Sequence, residues 1–423
     1  MKRILKKILP EFVILFLYHF PVAVLSAIFY GFPAKKIIII GVAGTKGKST
    51  TSYLISQILE KTGKKVALIS TALVKIDKKE ELNNVKFTTP PPFFLQRFIR
   101  KAVQADCQYL ILETSSHALI QRRSFGIPFH IIVLTNMMPD HLDYHKTAEN
   151  YSNSHKRMIS SCSTYLVFNN DEPNLEKLLE NLSFPGEKIN YSTKKSADIT
   201  ASEIVFHNQE TTFTVKAASE SIKMSLPLLG EFNTYNALAA ISVAFTQGID
   251  LVTISEIVKT LKSAPGRLER IIEGQDFEVI VDYAHSPDSL NSFFNSIKTG
   301  VDKRIITVFG ACGDRDRSVR PAMGEIIDKN SDYLIITNDD PYQEDPEQIV
   351  SDLWKGIKNK KIDENLWKIL DRKTAIEKAI SLAKKGDLVL VLGKGSEQFQ
   401  VFKDKKMPWD DRIVVRDVLK NRN

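Results

Sequence analysis

The stretch IIIIGVAGTKGKST, Ile37 to Thr50, decides how this chain folds, and the helical pattern that follows it runs through about Glu60. Four isoleucines and a valine ahead of a glycine turn read as a buried strand, and the turn then opens a helix. Glycines in such a turn let backbone N–H groups close around phosphate oxygens, the helix N-terminus adds its positive dipole end, and Lys48 neutralises phosphate charge. Ser49 or Thr50 can then hold Mg²⁺. Gly44, Thr45, Lys46, Gly47, Lys48, Ser49 and Thr50 are therefore candidate nucleotide-binding residues. The longer phosphate-loop pattern would place a glycine at Val42, so this is a shortened variant. A ligand-free tight turn is the plain alternative, and Lys-Ser-Thr after the second glycine argues against it.

Outward from this unit, VALIS, YLILE, IIVLTN and YLVFN recur as further strands between helical stretches, which implies a doubly wound parallel sheet. Ala197 to Pro227 alternates with period two, as half-exposed antiparallel strands do, and reads as a small antiparallel sheet added to the first domain. Helices are expected over Asn236 to Gln247 and Ile254 to Leu261, and SAPGRLE then has the proline and glycine of a linker. FEVIVDYAH, RIITVFGAC, YLIITNDD and LVLVLGKG begin a second, Rossmann-like α/β series. The expected division is an apolar segment 1–36, a central nucleotide-binding domain 37–263 and a C-terminal domain 264–423.

With 423 residues, 43% hydrophobic and 26% charged, the chain can bury more than one core and is not disordered. Its net charge of +8 favours anionic ligands. No helix-turn-helix, finger or aromatic RNA-binding signature accompanies that charge, so nucleic acid is not the expected partner. Three cysteines at unrelated spacings offer no disulfide framework and fit a reducing cytoplasm. Residues 11–33 are nearly all apolar, with Lys2, Arg3, Lys6 and Lys7 before them and Lys35 and Lys36 after. Pro10 and Pro21 divide the stretch, and the more basic flank would face outward in a simple span, so contact with the inner membrane surface is expected ahead of a true crossing. Packing on its own domain is the alternative.

Beyond the loop, FTTPPP (87–92), LETSSHAL (112–119), TNMMPDHLDYH (135–145), GEFNTYNALAA (230–240), GRLE (266–269), VDYAHSPDSL (281–290), GACGDRDRSVRPAMG (310–324), NDDPYQEDP (338–346) and GKGSEQ (393–398) follow in order. In these runs the chain resembles the Mur ligases, and among them the branch that extends a UDP-N-acetylmuramoyl-dipeptide. The resemblance implies an ATP- and Mg²⁺-dependent ligase that joins an amino acid to a carboxylate of a peptidoglycan precursor through an acyl-phosphate. Glu113 ends a strand beside the loop, where a carboxylate can hold Mg²⁺. The histidine matching His141 would serve a second Mg²⁺, and His117 lies on the substrate side. Asp140, His141, Asp143 and His145 taken alone also suit a transition metal, because histidines four apart share a helix face; the ATP motifs favour magnesium. Asn233 and Asn236 look like the family's adenine-side asparagines, with helix capping by Asn233 as the alternative. Arg267 and Asp282 match groups used on phosphate and ribose, with closure of the second domain expected to exclude water. Thr88, Thr89, Pro90, Ser115, Ser116, His285, Arg315, Arg320, Asp339, Asp340, Gly393, Lys394 and Glu397 stand in the runs that would bind substrate.

Three departures matter. The family's carbamylated lysine, which bridges the metals, falls in register on His155, with Lys156 its neighbour; either His155 is the ligand, or a one-residue shift brings Lys156 in. Where enzymes selective for diaminopimelate have DNPR, this chain has Asp339-Asp340-Pro341-Tyr342, so the arginine that forks onto a distal carboxylate is missing, and an amine would suit Asp339 and Asp340 at least as well. Only about 36 residues precede the sheet, so uridine recognition is expected to be missing, reduced or supplied otherwise, and a lipid-linked acceptor becomes an option. Sibling ligases acting on folate, cyanophycin or lipid II, and a catalytically silent nucleotide-binding protein at the membrane, are the rivals.

Overall fold

The structure, a computed structural model, describes residues 13, 15–83, 87–138, 142–180, 182–207, 210–297, 303–403 and 405–422. The chain divides into two units, Met1–Lys262 and Ser263–Asn423.

The first unit is built on one sheet of β1 (Ile38–Ala43), β2 (Val66–Ile69), β3 (Leu73–Ile76), β4 (Lys79–Leu82), β5 (Tyr109–Glu113), β6 (Phe129–Leu134), β7 (Cys162–Asn169), β8 (Glu187–Ser192), β9 (Ile199–Phe206), β10 (Thr211–Ala217) and β11 (Glu220–Leu226). Their order is β11-β10-β9-β8-β7-β6-β1-β5-β2-β3-β4. β1 pairs in parallel with β5 and β6, so the phosphate loop leaves the sheet between the C-terminal ends of its neighbours. Alternation of the isoleucines sorts two cores. Ile40 and Val42 pack with Leu54 and Ile58 of the helix Lys48–Lys61 and with the helix Glu231–Thr246; Ile39 and Ala43 pack with Leu95 and Ile99 of the helix Pro92–Gln104. Each of the valine, leucine and isoleucine side chains contributes about 1.5–3 kcal/mol by leaving water.

The small antiparallel sheet is added to the first unit edge to edge: β8 and β9 pair in parallel at Tyr191↔Ile199 and Ser192↔Thr200, which fuses β9–β11 to the parallel sheet. One expectation is corrected. The helix expected from Asn236 begins at Glu231, because Gly230 precedes it with φ +91 and the helix is buried from Asn233 onward. At the other end, the helix Phe20–Tyr30 follows directly on a π-helical turn, Leu15–His19, with Pro21 at the junction, and stops at Gly31 with φ +70. Ala23, Ser26 and Ala27 bury its inner face. Among the described residues no helix is long and apolar enough to cross a membrane.

The second unit has a sheet of β12 (Glu269–Arg270), β13 (Glu278–Asp282), β14 (Ile305–Phe309), β15 (Tyr333–Ile336), β16 (Leu366–Lys368) and β17 (Leu388–Leu392), ordered β12-β13-β17-β14-β15-β16, and a hairpin of β18 (Phe399–Phe402) and β19 (Lys405–Pro408). All pairs but β12·β13 in that sheet are parallel. Val389 and Val391 face one core and Leu390 and Leu392 the other, as strands covered by helices on both faces require.

Candidate active site

The phosphate loop is held from β6's end. Thr135 Oγ1 donates to Lys46 O at 2.7 Å, and Asn136 Oδ1 accepts from Thr45 N at 3.0 Å and Lys46 N at 2.9 Å while its Nδ2 donates to Lys46 O at 3.0 Å. Lys48 Nζ donates to Gly44 O (2.9 Å) and Thr45 O (2.8 Å), which keeps its charge inside the turn. With Thr45 and Lys46 N–H turned to Asn136, the anion-facing donors are those of the first turn of the helix Lys48–Lys61.

Asn236 closes the other side. Its Oδ1 accepts from Thr51 Oγ1 (3.2 Å), its Nδ2 donates to Asn233 Oδ1 (3.1 Å), and Asn233 Nδ2 donates to Leu229 O (2.7 Å). Asn233 is thus not the helix cap; Gly230 is. A Cβ at Gly47 would stand 2.3 Å from Asn236 Oδ1, at φ +79. Gly47→Ala is therefore expected to weaken ATP binding at least about tenfold, since a left-handed alanine alone costs roughly 1–2 kcal/mol. In calorimetry, adding Asn236→Ala should recover only part of the loss, because the strained φ stays.

Glu113 ties the loop to the TTP segment. Its Oε2 accepts from Ser49 Oγ (2.9 Å) and Thr71 N (2.6 Å), and its Oε1 from Thr71 Oγ1, 2.9 Å away. Thr71 Oγ1 also lies 2.9 Å from Thr88 Oγ1. Thr89 Oγ1 donates to Glu113 O (3.0 Å) and accepts from Ser115 N (3.0 Å), while Pro90 is buried beside it. Phosphate loop, strand end and candidate acceptor segment therefore meet at one carboxylate.

A ladder of rings continues from there. His117 stacks on Tyr144 with centroids 4.2 Å apart, His145 Nε2 lies 2.9 Å from Ser116 Oγ, and Tyr151 stands edge-on to His145 and His155 at 5.1 and 5.0 Å. Thr45 Oγ1 donates its one proton to Met138 O, so the Tyr151 hydroxyl, 2.9 Å away, donates to Thr45. His155 is buried, and Lys156 is exposed on the helix Ala148–Ile159, so the helix presents the histidine and not its neighbour inward. Burial, with smaller contributions from Lys48 and His145, pushes the His155 imidazole down to about 4. Its Nδ1 lies 3.0 Å from Tyr151 O; a carbonyl only accepts, so Nδ1 carries the proton and Nε2 keeps a lone pair, buried and without a hydrogen-bond partner. Hard oxygens at Ser49 and Glu113 suit Mg²⁺, and the orphaned nitrogen is a further donor. Asp140 and His141 lie outside the described residues.

In the second unit, Asp282 accepts from Leu268 N and Ala284 N, both at 2.7 Å, and Arg267 lies over the Tyr283 ring at 4.2 Å, so the structure brings Arg267 and Asp282 to one strand end. His285 is exposed there, with Nδ1 2.7 Å from Tyr283 O. Arg315 is exposed on the loop after β14. Two sets of candidates are engaged within the chain. Arg320 is buried, with NH1 and NH2 each 2.9 Å from Glu344, NH1 3.1 Å from Asp352 and NH2 3.2 Å from Cys312 O; these donors hold the fold, not a substrate. Asp339 and Asp340 do not await a foreign amine. The Lys394 ammonium lies 3.1, 2.9 and 3.1 Å from Asp339, Asp340 and Glu397, filling the space in which three carboxylates could otherwise hold a metal. Gly393, at φ +111, lets Asp339 Oδ2 approach to 2.7 Å of where a Cβ would be.

Hydrogen bonds from Arg320 to Glu344 and from Lys355 to Asp352 hold both carboxyls below their ordinary values. Their contribution is present above the ordinary carboxylate range and is lost as pH falls through the depressed values. Acid titration of stability in Arg320→Met should therefore show a shallower fall below about pH 4 than the parent.

Residues 42–244 match the model of the Mur ligase middle domain, and residues 266–395 that of the Mur ligase glutamate ligase domain. The UDP-N-acetylmuramoyl-L-alanyl-D-glutamate--2,6-diaminopimelate ligase of Syntrophomonas wolfei is 38% identical over 405 residues, 95% of this chain and 82% of the relative. That of Clostridium botulinum is 38% identical over 401 residues, 94% and 81% of the two chains. A solved structure of a ligase of the same name superposes with TM-score 0.66 at 32% identity, covering 91% of this chain and 79% of the other. Mycobacterium tuberculosis folylpolyglutamate synthase, at 15% identity and TM-score 0.73 over 89% and 92% of the two chains, shares the fold. Loop, carboxylate and two α/β units together are those of an ATP-dependent ligase that forms amide bonds. The chain belongs to the Mur ligase family.

Proposed function

We propose that this ligase joins an amino acid to a free carboxylate of UDP-N-acetylmuramoyl-dipeptide or a closely related peptidoglycan precursor, on the cytoplasmic side where ATP is made available. The observation that supports it is Glu113, whose carboxylate accepts from Ser49 of the phosphate loop and from Thr71, itself 2.9 Å from Thr88. The group that orders the nucleotide loop thereby also orders the segment resembling the family's acceptor run.

In this reading an acceptor carboxylate oxygen attacks the γ-phosphorus of ATP, the bond to ADP breaks, and an acyl-phosphate forms; Lys48 and the helix N-terminus spread the charge. The incoming amine then attacks the acyl carbon, loses a proton, and inorganic phosphate departs as the amide forms. Mg²⁺ held by Ser49 and Glu113, with His155 and His141 as further candidate ligands, would neutralise phosphate oxygens. Asn233, Asn236, Arg267 and Asp282 are the candidates for the rest of the nucleotide. Tyr342 replaces an arginine that could fork onto a second carboxylate, so amino acids lacking one belong in the test beside diaminopimelate.

The test is mass spectrometry of products from purified protein, ATP, Mg²⁺, UDP-N-acetylmuramoyl-dipeptide and an amino-acid mixture. One new amide, with phosphate release requiring the acceptor, is expected. ATP binding without turnover over the whole panel would favour a silent nucleotide-binding protein.

A further inference from the structure

We propose that the face formed by the helix Phe20–Tyr30 and the first turn of the helix Pro92–Gln104 docks on the surface of an anionic lipid bilayer. The inner side of the first helix is buried through Ala23, Ser26 and Ala27. Its outer side is apolar and in water: Leu25 is 58% exposed, Ile28 58% and Phe29 70%. Spacings of three and four put these residues on one stripe, and Leu17, 66% exposed, adds to it from the π-helical turn Leu15–His19 just before. Phe29 meets Phe93 with ring centroids 6.1 Å apart, and Phe93 and Phe94 are themselves exposed, so the stripe continues onto the second helix. Soluble surfaces rarely carry so many large apolar groups side by side.

Charge selects the occupant. Phe20 packs edge-on against Phe125 at 5.3 Å, Arg122 covers Phe20 at 4.8 Å, and Gly126 abuts Ala27, so residues 119–128 border the same face. Segments 13–37, 87–105 and 119–128 contain no aspartate or glutamate and seven cations: Lys35, Lys36, Arg97, Arg100, Lys101, Arg122 and Arg123. A second copy docked symmetrically would oppose seven cations to seven with no acid between them. Anionic headgroups neutralise that rim while acyl chains receive the stripe, and each basic side chain at such a surface strengthens partition severalfold. Among the described residues no helix is long and apolar enough to cross, so the proposed contact is one in the interface plane.

The experiment is co-sedimentation of the full chain with vesicles of phosphatidylglycerol and phosphatidylcholine, against phosphatidylcholine alone. Expected is binding to the anionic vesicles at least about tenfold stronger than to neutral ones, and weakened in about 1 M salt. Two variants made only of exposed residues, Leu25→Ser/Ile28→Ser/Phe29→Ser and Lys35→Glu/Arg97→Glu/Arg100→Glu/Lys101→Glu, should each lose at least about tenfold in partition with unchanged melting. Failure of the parent to sediment with anionic vesicles overturns the proposal, as does equal binding by both variants. Light scattering that shows a dimer which the serine variant returns to monomer assigns the face to a second copy and overturns it too.

Discussion

Lys48→Ala should reduce amide formation by about a thousandfold or more while leaving the melting temperature nearly unchanged. The ammonium sits 2.9 and 2.8 Å from the carbonyls of Gly44 and Thr45, at the mouth of the first helical turn, where a triphosphate's terminal oxygens gain charge as the acceptor attacks. Removing one such charge from a water-poor site costs roughly 4 kcal/mol of transition-state stabilisation, and 1.36 kcal/mol is tenfold in rate. The side chain is half-buried and donates to two loop carbonyls, so the fold should survive its loss. Lys48→Arg should not restore activity, because a planar guanidinium cannot occupy a place defined by two carbonyls less than 3 Å from one nitrogen. The decisive measurement is product formed per unit time at saturating substrates, alongside a thermal melt. A Lys48→Ala enzyme working at the parent rate would remove the ground for placing phosphoryl transfer at this loop.

What could be read without coordinates was whatever depends on local backbone. Gly44 and Gly47 both take positive φ, the Ile39/Ile40 alternation sorts two cores, and Asn233 and Asn236 meet across one helical turn. His155 faces inward because it lies four residues after Tyr151, whose carbonyl fixes its tautomer. What could not be read depends on strand order. Thr135 and Asn136 grip the loop only because β6 lies beside β1, roughly ninety residues earlier in the chain, and sequence separation conceals that. Tyr151 was hidden for the same reason, although its hydroxyl reaches Thr45. The β8–β9 junction rests on two residue pairs, too few to leave a periodic trace. Arg320, Asp339, Asp340 and Lys394 misled because charged residues in a ligand-binding run read as facing a ligand. Here burial turns Lys394 to Asp339 and Asp340, and Arg320 to Glu344 and Asp352.

Lys394→Met is expected to lower the melting temperature of the second unit by something of order 10 °C. Lys394 is wholly buried, as are Asp339 and Asp340, and water reaches only the third carboxylate, Glu397, 22% exposed, so the inner two are left unscreened once the ammonium is gone. Burial works against its charge, yet the attraction of Asp339, Asp340 and Glu397 outweighs that and raises its proton affinity above the ordinary value. Breaking one partner from a buried ionic cluster typically costs about 3–5 kcal/mol, and a unit of this size loses roughly 2–4 °C per kcal/mol. The damage should spread, because Asp340 Oδ1 also accepts from Val401 N at 2.9 Å, and Gln400 donates to Asp339 O at 3.2 Å. These bonds anchor the β18–β19 hairpin to the ends of the sheet. The pH dependence separates this account from mere loss of volume. Without the cation, repulsion and burial raise the carboxyl pKa values of the folded variant above those of its unfolded chain. The folded variant then binds more protons, so the deficit relative to the parent should shrink as pH falls through those raised values. Lys394→Met/Asp340→Asn should recover part of the loss at neutral pH. A deficit constant from pH 8 to pH 5, the range over which raised carboxyl pKa values would titrate, would show that packing, not charge, sets the cost.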